Sequence, residues 1–146
     1  MKKEISGGLN QYLANVSVMY IKLHNLHWNV VGLQFKQVHE YLEELYDNMA
    51  EVLDEVAELL KIHGEMPLAS MKDYLAVAEI SELESKEVAN AEAIAIASQD
   101  MLKLKENAEK VRRLADEDGQ YDVVSMLEDH LTNYNKYIWF LSTMAK

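Results

Sequence analysis

The rarest residues place the strongest limit on this chain: 146 residues contain one proline and five glycines. An all-β fold of that length needs many turns, and the residues that make turns are missing. Long uninterrupted helices remain. Apolar side chains recur at the three- and four-residue steps that form one stripe on a helix. The first stripe, Leu9, Tyr12, Leu13, Val16, Met19, Tyr20 and Leu23, fades near Val31 and Gly32, where a glycine can end a helix. The second runs from about Gln37 to Ile62 through Leu42, Leu45, Met49, Val52, Val56 and Leu59. His63 and Gly64 close it, and Pro67 blocks simple continuation.

A short helical piece from Ser70 to about Ala78 is predicted in the connection that follows. The third long helix is predicted to begin near Ser81 or Ser85, either a suitable N-cap, and to reach about Ala115. Its alanine-rich middle (Ala89, Ala91, Ala93, Ala95, Ala97) permits close packing. Asp116 to Gln120 reads as a loop, and the fourth helix carries Val124, Leu127, Leu131, Tyr134, Ile138 and Leu141. No strand signal and no internal repeat are present. The expected architecture is all-α: an antiparallel four-helix bundle, one domain over residues 1–146, with a short extra helix in the long connection between the second and third long helices. That long connection implies one crossover in place of a simple hairpin.

Composition narrows the function classes. With no cysteine there are no disulfides, no zinc–thiolate site and no thiol nucleophile. The opening MKKEISGGLNQYLANV lacks an apolar run of signal-peptide length, and no segment suits a bilayer span, so a cytoplasmic location and no membrane partner are expected. The formal net charge is -11. Such a surface repels nucleic acid and suits cations.

The chemistry concentrates between His24 and Glu58. His27, His39, Glu43, Asp54 and Glu58 are the nitrogen and oxygen donors that bind iron, manganese or zinc. At about 100° per residue, His39, Glu43, Asp54 and Glu58 fall within roughly 100° of one another, on the face opposite the apolar stripe. They point away from the bundle interior. A buried site inside the bundle needs Glu-x-x-His pairs, and no glutamate here is followed three residues later by histidine. Acids opposite an apolar stripe are by themselves a solvated face. His39 and Asp54 lie roughly 22 Å apart along a straight helix, too far to share an ion from one chain. Two copies of the second helix crossing antiparallel near Asn48 and Met49 would bring His39 to Glu58 and Glu43 towards Asp54. Ala50, on the same face, would let them come close. His27, at the end of the first helix, would complete the nitrogen donors. Two symmetry-related sites per isologous dimer result.

The segment HWNVVGLQFKQVHEYLEELYD followed by DEVAE resembles the Dps (mini-ferritin) signature, and the likeness extends to GEMPLASMKDYL and the closing KYIWFL. The resemblance implies a ferritin-like bundle and a twelve-subunit homo-oligomeric cage with ferroxidase centres at its two-fold interfaces. His27 and His39 would come from one subunit and Asp54 and Glu58 from its partner, with Glu43 as a supporting carboxylate. The implied activity is oxidation of Fe2+ by hydrogen peroxide, or more slowly by dioxygen, and storage of Fe3+ in the cavity, protecting against oxidative stress. Zinc or manganese are alternative occupants of the site. A DNA-binding cage, or a scaffold whose metal is structural, is the rival reading. Direct DNA binding is not expected, because the termini offer only Lys2, Lys3 and Lys146.

By the same resemblance Trp28 is a redox-active neighbour of His27, with plain packing as its alternative. Trp139 reads as a core or interface residue, His24 as a surface histidine, and His63 and His130 as structural. Asp116, Glu117, Asp118 and Asp122 cluster at the predicted start of the last helix, where acids favour the dipole. In the family, acids hereabouts line iron-entry pores, but Ser125 departs from that pattern. Glu40, Glu44, Glu51 and Glu55 are candidates for the cavity face.

Overall fold

A computed structural model describes all residues 1–146. Four long helices form the bundle: α1 Lys3–Asn29, α2 Phe35–Ile62, α4 Asn90–Glu117 and α5 Tyr121–Met144, with the short α3 Met71–Val77 between α2 and α4. The expected all-α bundle with a short extra helix in its long connection is what the chain builds. Two small departures concern strands. Val30–Val31 (β1) and Val88–Ala89 (β2) pair in parallel, Val30 opposite Val88 and Val31 opposite Ala89.

That pair explains the topology. β1 follows the end of α1 and β2 precedes the start of α4, so both ends meet at one end of the bundle. The tight connection through residues 30–34 makes α2 run back beside α1. The chain leaving α2 must therefore return the length of the bundle, roughly 40 Å, before α4 can start. Three asparagines on α1 guide that return. Asn10 Nδ2 donates to the Met66 carbonyl at 3.1 Å and its Oδ1 accepts from the Leu68 amide at 2.8 Å. Asn15 Oδ1 accepts from the amides of Glu79 and Ile80 at 2.7 and 3.2 Å, and Asn25 Nδ2 donates to the Leu83 carbonyl at 2.9 Å. Ser70 caps α3, its hydroxyl accepting from the Asp73 amide.

These contacts correct the start of the third long helix. It begins at Asn90, not at Ser81 or Ser85, because residues 79–89 run beside α1 with their polar backbone groups committed to Asn15, Asn25 and β1. The predicted loop at 116–120 is also shorter. Asp116 and Glu117 form the last turn of α4, where the helix dipole disfavours negative charge. Arg112 offsets this for Asp116, with Nη1 3.8 Å from its carboxylate.

One cluster of 33 buried hydrophobic residues fills the bundle. The stripes of α1 and α2 are buried as predicted, Leu9, Leu13, Met19 and Leu23 against Leu42, Leu45, Met49 and Val52. The stripe of α5 is rotated by about one position: Val123, Leu127, His130, Tyr134, Tyr137 and Leu141 go inward, while Val124, Leu131 and Ile138 are only half-buried. The cause is polar. His130 and Tyr134 turn in to bond Tyr12, a preference that counting apolar residues does not register. A buried ion pair also ties α1 to α4, with Lys22 Nζ 2.7 Å from Asp100 Oδ2 and both side chains under a tenth exposed. The separation is that of a charged hydrogen bond, yet Oδ2 lacks a well-aligned donor, so the pair relies on Coulomb attraction. No helix is long and apolar enough to cross a membrane.

Candidate metal centre

The turn between α1 and α2 brings His27, in the last turn of α1, against His39, early in α2. Their rings stack with centroids 3.7 Å apart and planes 12° from parallel. Each ring is held by the other residue's backbone: His27 Nδ1 lies 2.6 Å from the His39 carbonyl and His39 Nδ1 lies 2.7 Å from the His27 carbonyl. A carbonyl oxygen only accepts, so both Nδ1 atoms must carry protons. In the neutral rings the two Nε2 lone pairs are then left bare. Metal ligation uses that tautomer, and the hydrogen bond at the far nitrogen both orients the ring and raises its basicity.

Gly32 makes the turn possible. Its φ is +135°, and a Cβ there would fall 2.2 Å from Asn90 Oδ1. That oxygen accepts from the Gln34 amide at 3.1 Å, fastening the α1–α2 turn to the start of α4.

Glu43, one turn beyond His39, places Oε1 4.0 Å from His27 Nε2, too long for a direct hydrogen bond. The same oxygen accepts from the Tyr46 hydroxyl at 3.1 Å. Partial burial first, and then this bond to the Glu43 carboxylate, push the Tyr46 phenol above its ordinary pKa. Tyr46 meets the His27 ring edge-on at 5.2 Å and stacks on His24 at 3.7 Å. His24 Nδ1 is fixed on the Tyr20 carbonyl at 2.7 Å, so His24 belongs to this aromatic cluster and not to open surface. Phe35 covers the other side of His39 at 4.9 Å. Tyr46 was not among the expected site residues. Its signal was available, because seven residues after His39 is close to two turns and the same helix face.

The chain thus brings together His27, His39 and Glu43. Asp54 and Glu58 are exposed further along α2 and do not reach them, and no three histidine or carboxylate groups of one chain meet where they could hold an ion. Trp28, next to His27, is 68% exposed and touches His24 at 5.4 Å. Trp139 is also exposed, at 64%, so within one chain it is not a core residue.

Three of the four acids expected near the last helix, Asp116, Asp118 and Asp122, have partners within the chain. Asp122 Oδ2 lies 2.8 Å from His63 Nε2, giving that histidine a specific role between α2 and α5. Asp118 accepts from Gln120 at 3.1 Å and lies 3.7 Å from Lys2, and the Gln120 bond is the main reason its carboxyl sits below the usual range.

A four-helix bundle with one long crossover is the architecture of a ferritin-like domain. The ferritin-like domain model matches residues 7–146. The chain is 36% identical to the DNA protection during starvation protein 2 of Bacillus anthracis, over 97% of this chain and 96% of that one. It superposes on the crystal structure of antigen TpF1 from Treponema pallidum with a TM-score of 0.96 at 38% identity, covering 98% and 92% of the two chains. A Dps protein from Vibrio cholerae O1, described as a member of a broad superfamily of ferritin-like diiron-carboxylate proteins, gives a TM-score of 0.94 at 26% identity, covering 99% and 90%. This chain belongs to the Dps family of ferritin-like proteins.

Proposed function

We propose that this protein is an iron-storing ferroxidase whose site is shared between two copies of the chain. The observation that carries the reading is the reciprocal lock between His27 and His39. It leaves two bare Nε2 atoms, that of His27 4.0 Å from Glu43, while the remaining carboxylates, Asp54 and Glu58, sit at the other half of α2. A two-fold axis near Asn48 and Met49 would bring Asp54 and Glu58 of one copy to the histidines of the other. The V. cholerae relative's diiron-carboxylate superfamily supports iron as the metal, and zinc or manganese suits the same donors.

In this reading Fe2+ is the substrate. Imidazole nitrogens give affinity for the ferrous ion, and hard carboxylate oxygens favour the ferric product, so the mixed set promotes oxidation by hydrogen peroxide or, more slowly, dioxygen. Each backbone carbonyl that accepts the hydrogen bond from an Nδ1–H keeps that ring from turning. Fe3+ would then pass to a cavity enclosed by a dodecameric cage in the cytoplasm, with Glu40, Glu44, Glu51 and Glu55 as candidate cavity-face acids. Removing iron and peroxide together protects against oxidative stress. With a net charge of -11, DNA is not among the partners we assign.

The test is anaerobic Fe2+ loading followed by hydrogen peroxide, with ferric absorbance recorded for the wild type and for the double variant His27→Ala/His39→Ala. Fast oxidation lost in the variant, with assembly unchanged by light scattering, supports the shared ferroxidase. Equal rates, no faster than buffer, would leave a cage without this chemistry.

A further inference from the structure

Away from the histidine pair, the bundle interior holds a polar chain that the ferroxidase reading does not use. Tyr12 and Tyr134 are fully buried and joined hydroxyl to hydroxyl at 2.5 Å. The Tyr12 hydroxyl also lies 3.0 Å from Nδ1 of His130, which is 3% exposed. His130 Nε2 lies 3.2 Å from Oε2 of Glu55, a carboxylate half open to solvent.

The direction of this chain follows from donor and acceptor counts. A carboxylate only accepts, so Nε2 carries the imidazole proton and Nδ1 is the acceptor. Tyr12 must then donate to Nδ1, which leaves its oxygen to accept from Tyr134. The result is Tyr134 to Tyr12 to His130 to Glu55, with a phenol poised on a neutral base that an outward carboxylate orients. A phenol buried in apolar surroundings does not ionise, and burial holds the Tyr12 pKa well above its ordinary value. Losing an electron changes this, because an oxidised phenol is a strong acid and gives up its proton at once if a base is in contact.

We propose that Tyr12 is a redox-active tyrosine, a buried sink for oxidising equivalents. In the step, Tyr12 loses one electron to a one-electron oxidant of the hydroxyl-radical class. The phenolic O–H bond breaks, and the proton forms a new N–H bond at His130 Nδ1. The oxidant takes the electron and a solvent proton and becomes water. The imidazolium is stabilised by Glu55, and the phenoxyl oxygen keeps the hydrogen bond from Tyr134. The ferroxidase reading enters only as a source of such oxidants, so the two ideas can fail separately.

The test uses iron-free assembled protein and a photogenerated ruthenium(III) tris-bipyridine oxidant, with freeze-quenched electron paramagnetic resonance. The wild type and a Tyr121→Phe control, which removes an exposed phenol, are expected to give the same long-lived tyrosyl signal. In Tyr12→Phe that signal drops to baseline. In His130→Gln, where the phenol stays and the base is gone, it drops as well. A wild-type signal in Tyr12→Phe, or in His130→Gln, overturns the proposal. If either variant fails to assemble, Glu55→Gln at the exposed end decides: a lower radical yield supports the relay, and an unchanged yield refutes it.

Discussion

Replacing Gly32 with alanine tests whether the α1–α2 turn holds the histidine pair in place. Two separate costs follow from the geometry. At φ +135° the backbone lies where an L side chain is strained, which costs about 1–3 kcal/mol. The added Cβ would also sit 2.2 Å from Asn90 Oδ1, so the amide must leave and the Gln34 hydrogen bond is lost, about 0.5–1.5 kcal/mol more. Together they predict a loss of about 2–4 kcal/mol. Urea unfolding, compared at one fixed protein concentration, measures it. Asn90→Ala alone removes only the hydrogen bond. The double variant should therefore cost less than the sum of the singles, because the clash is gone and the bond is lost once. Gly32→Ala within about 0.5 kcal/mol of the wild type would refute the reasoning.

The Lys22–Asp100 pair predicts a loss of about 3–5 kcal/mol for Asp100→Ala, which strands a buried ammonium, while Lys22→Met/Asp100→Leu should be near neutral. Thermal unfolding of the three proteins checks the contrast. His130 is held below its ordinary pKa by burial, against the opposing pull of Glu55 and Asp129, with Tyr12 and Tyr134 facing the ring from α1 and α5. The unfolded chain therefore binds this proton more readily. The contribution is complete above the unfolded pKa of about 6.5 and is lost as pH falls towards the lower folded value. His130→Gln should flatten the decline of unfolding free energy below neutral pH. Tyr46→Phe frees Glu43 from the Tyr46 hydroxyl, at a cost to stability within about 1 kcal/mol. A change in Fe2+ affinity by anaerobic titration, with the assembly intact, would show that Tyr46 positions that carboxylate, and an unchanged affinity would remove it from the site.

Much was legible in the sequence because it depends on local periodicity. The breaker count and the stripes of α1 and α2 determine long helices, and angular arithmetic along α2 separates the donor face of His39, Glu43, Asp54 and Glu58 from the core. The motif around His27, Trp28 and His39 led to the Dps family, which the ferritin-like match and the Dps relatives support. What the sequence did not disclose depends on partners far along the chain. The third long helix starts at Asn90 because Asn15 and Asn25 hold the preceding segment against α1, a choice no capping serine reveals. The face of α5 is decided by a hydroxyl on Tyr12, 118 residues from His130. The tautomer of the two histidines is set by backbone carbonyls that only the turn at Gly32 brings within reach. Periodicity acts within a helix, and so one strand of sequence can carry it. Hydrogen-bond satisfaction acts between elements, and only the packed bundle decides which donor meets which acceptor.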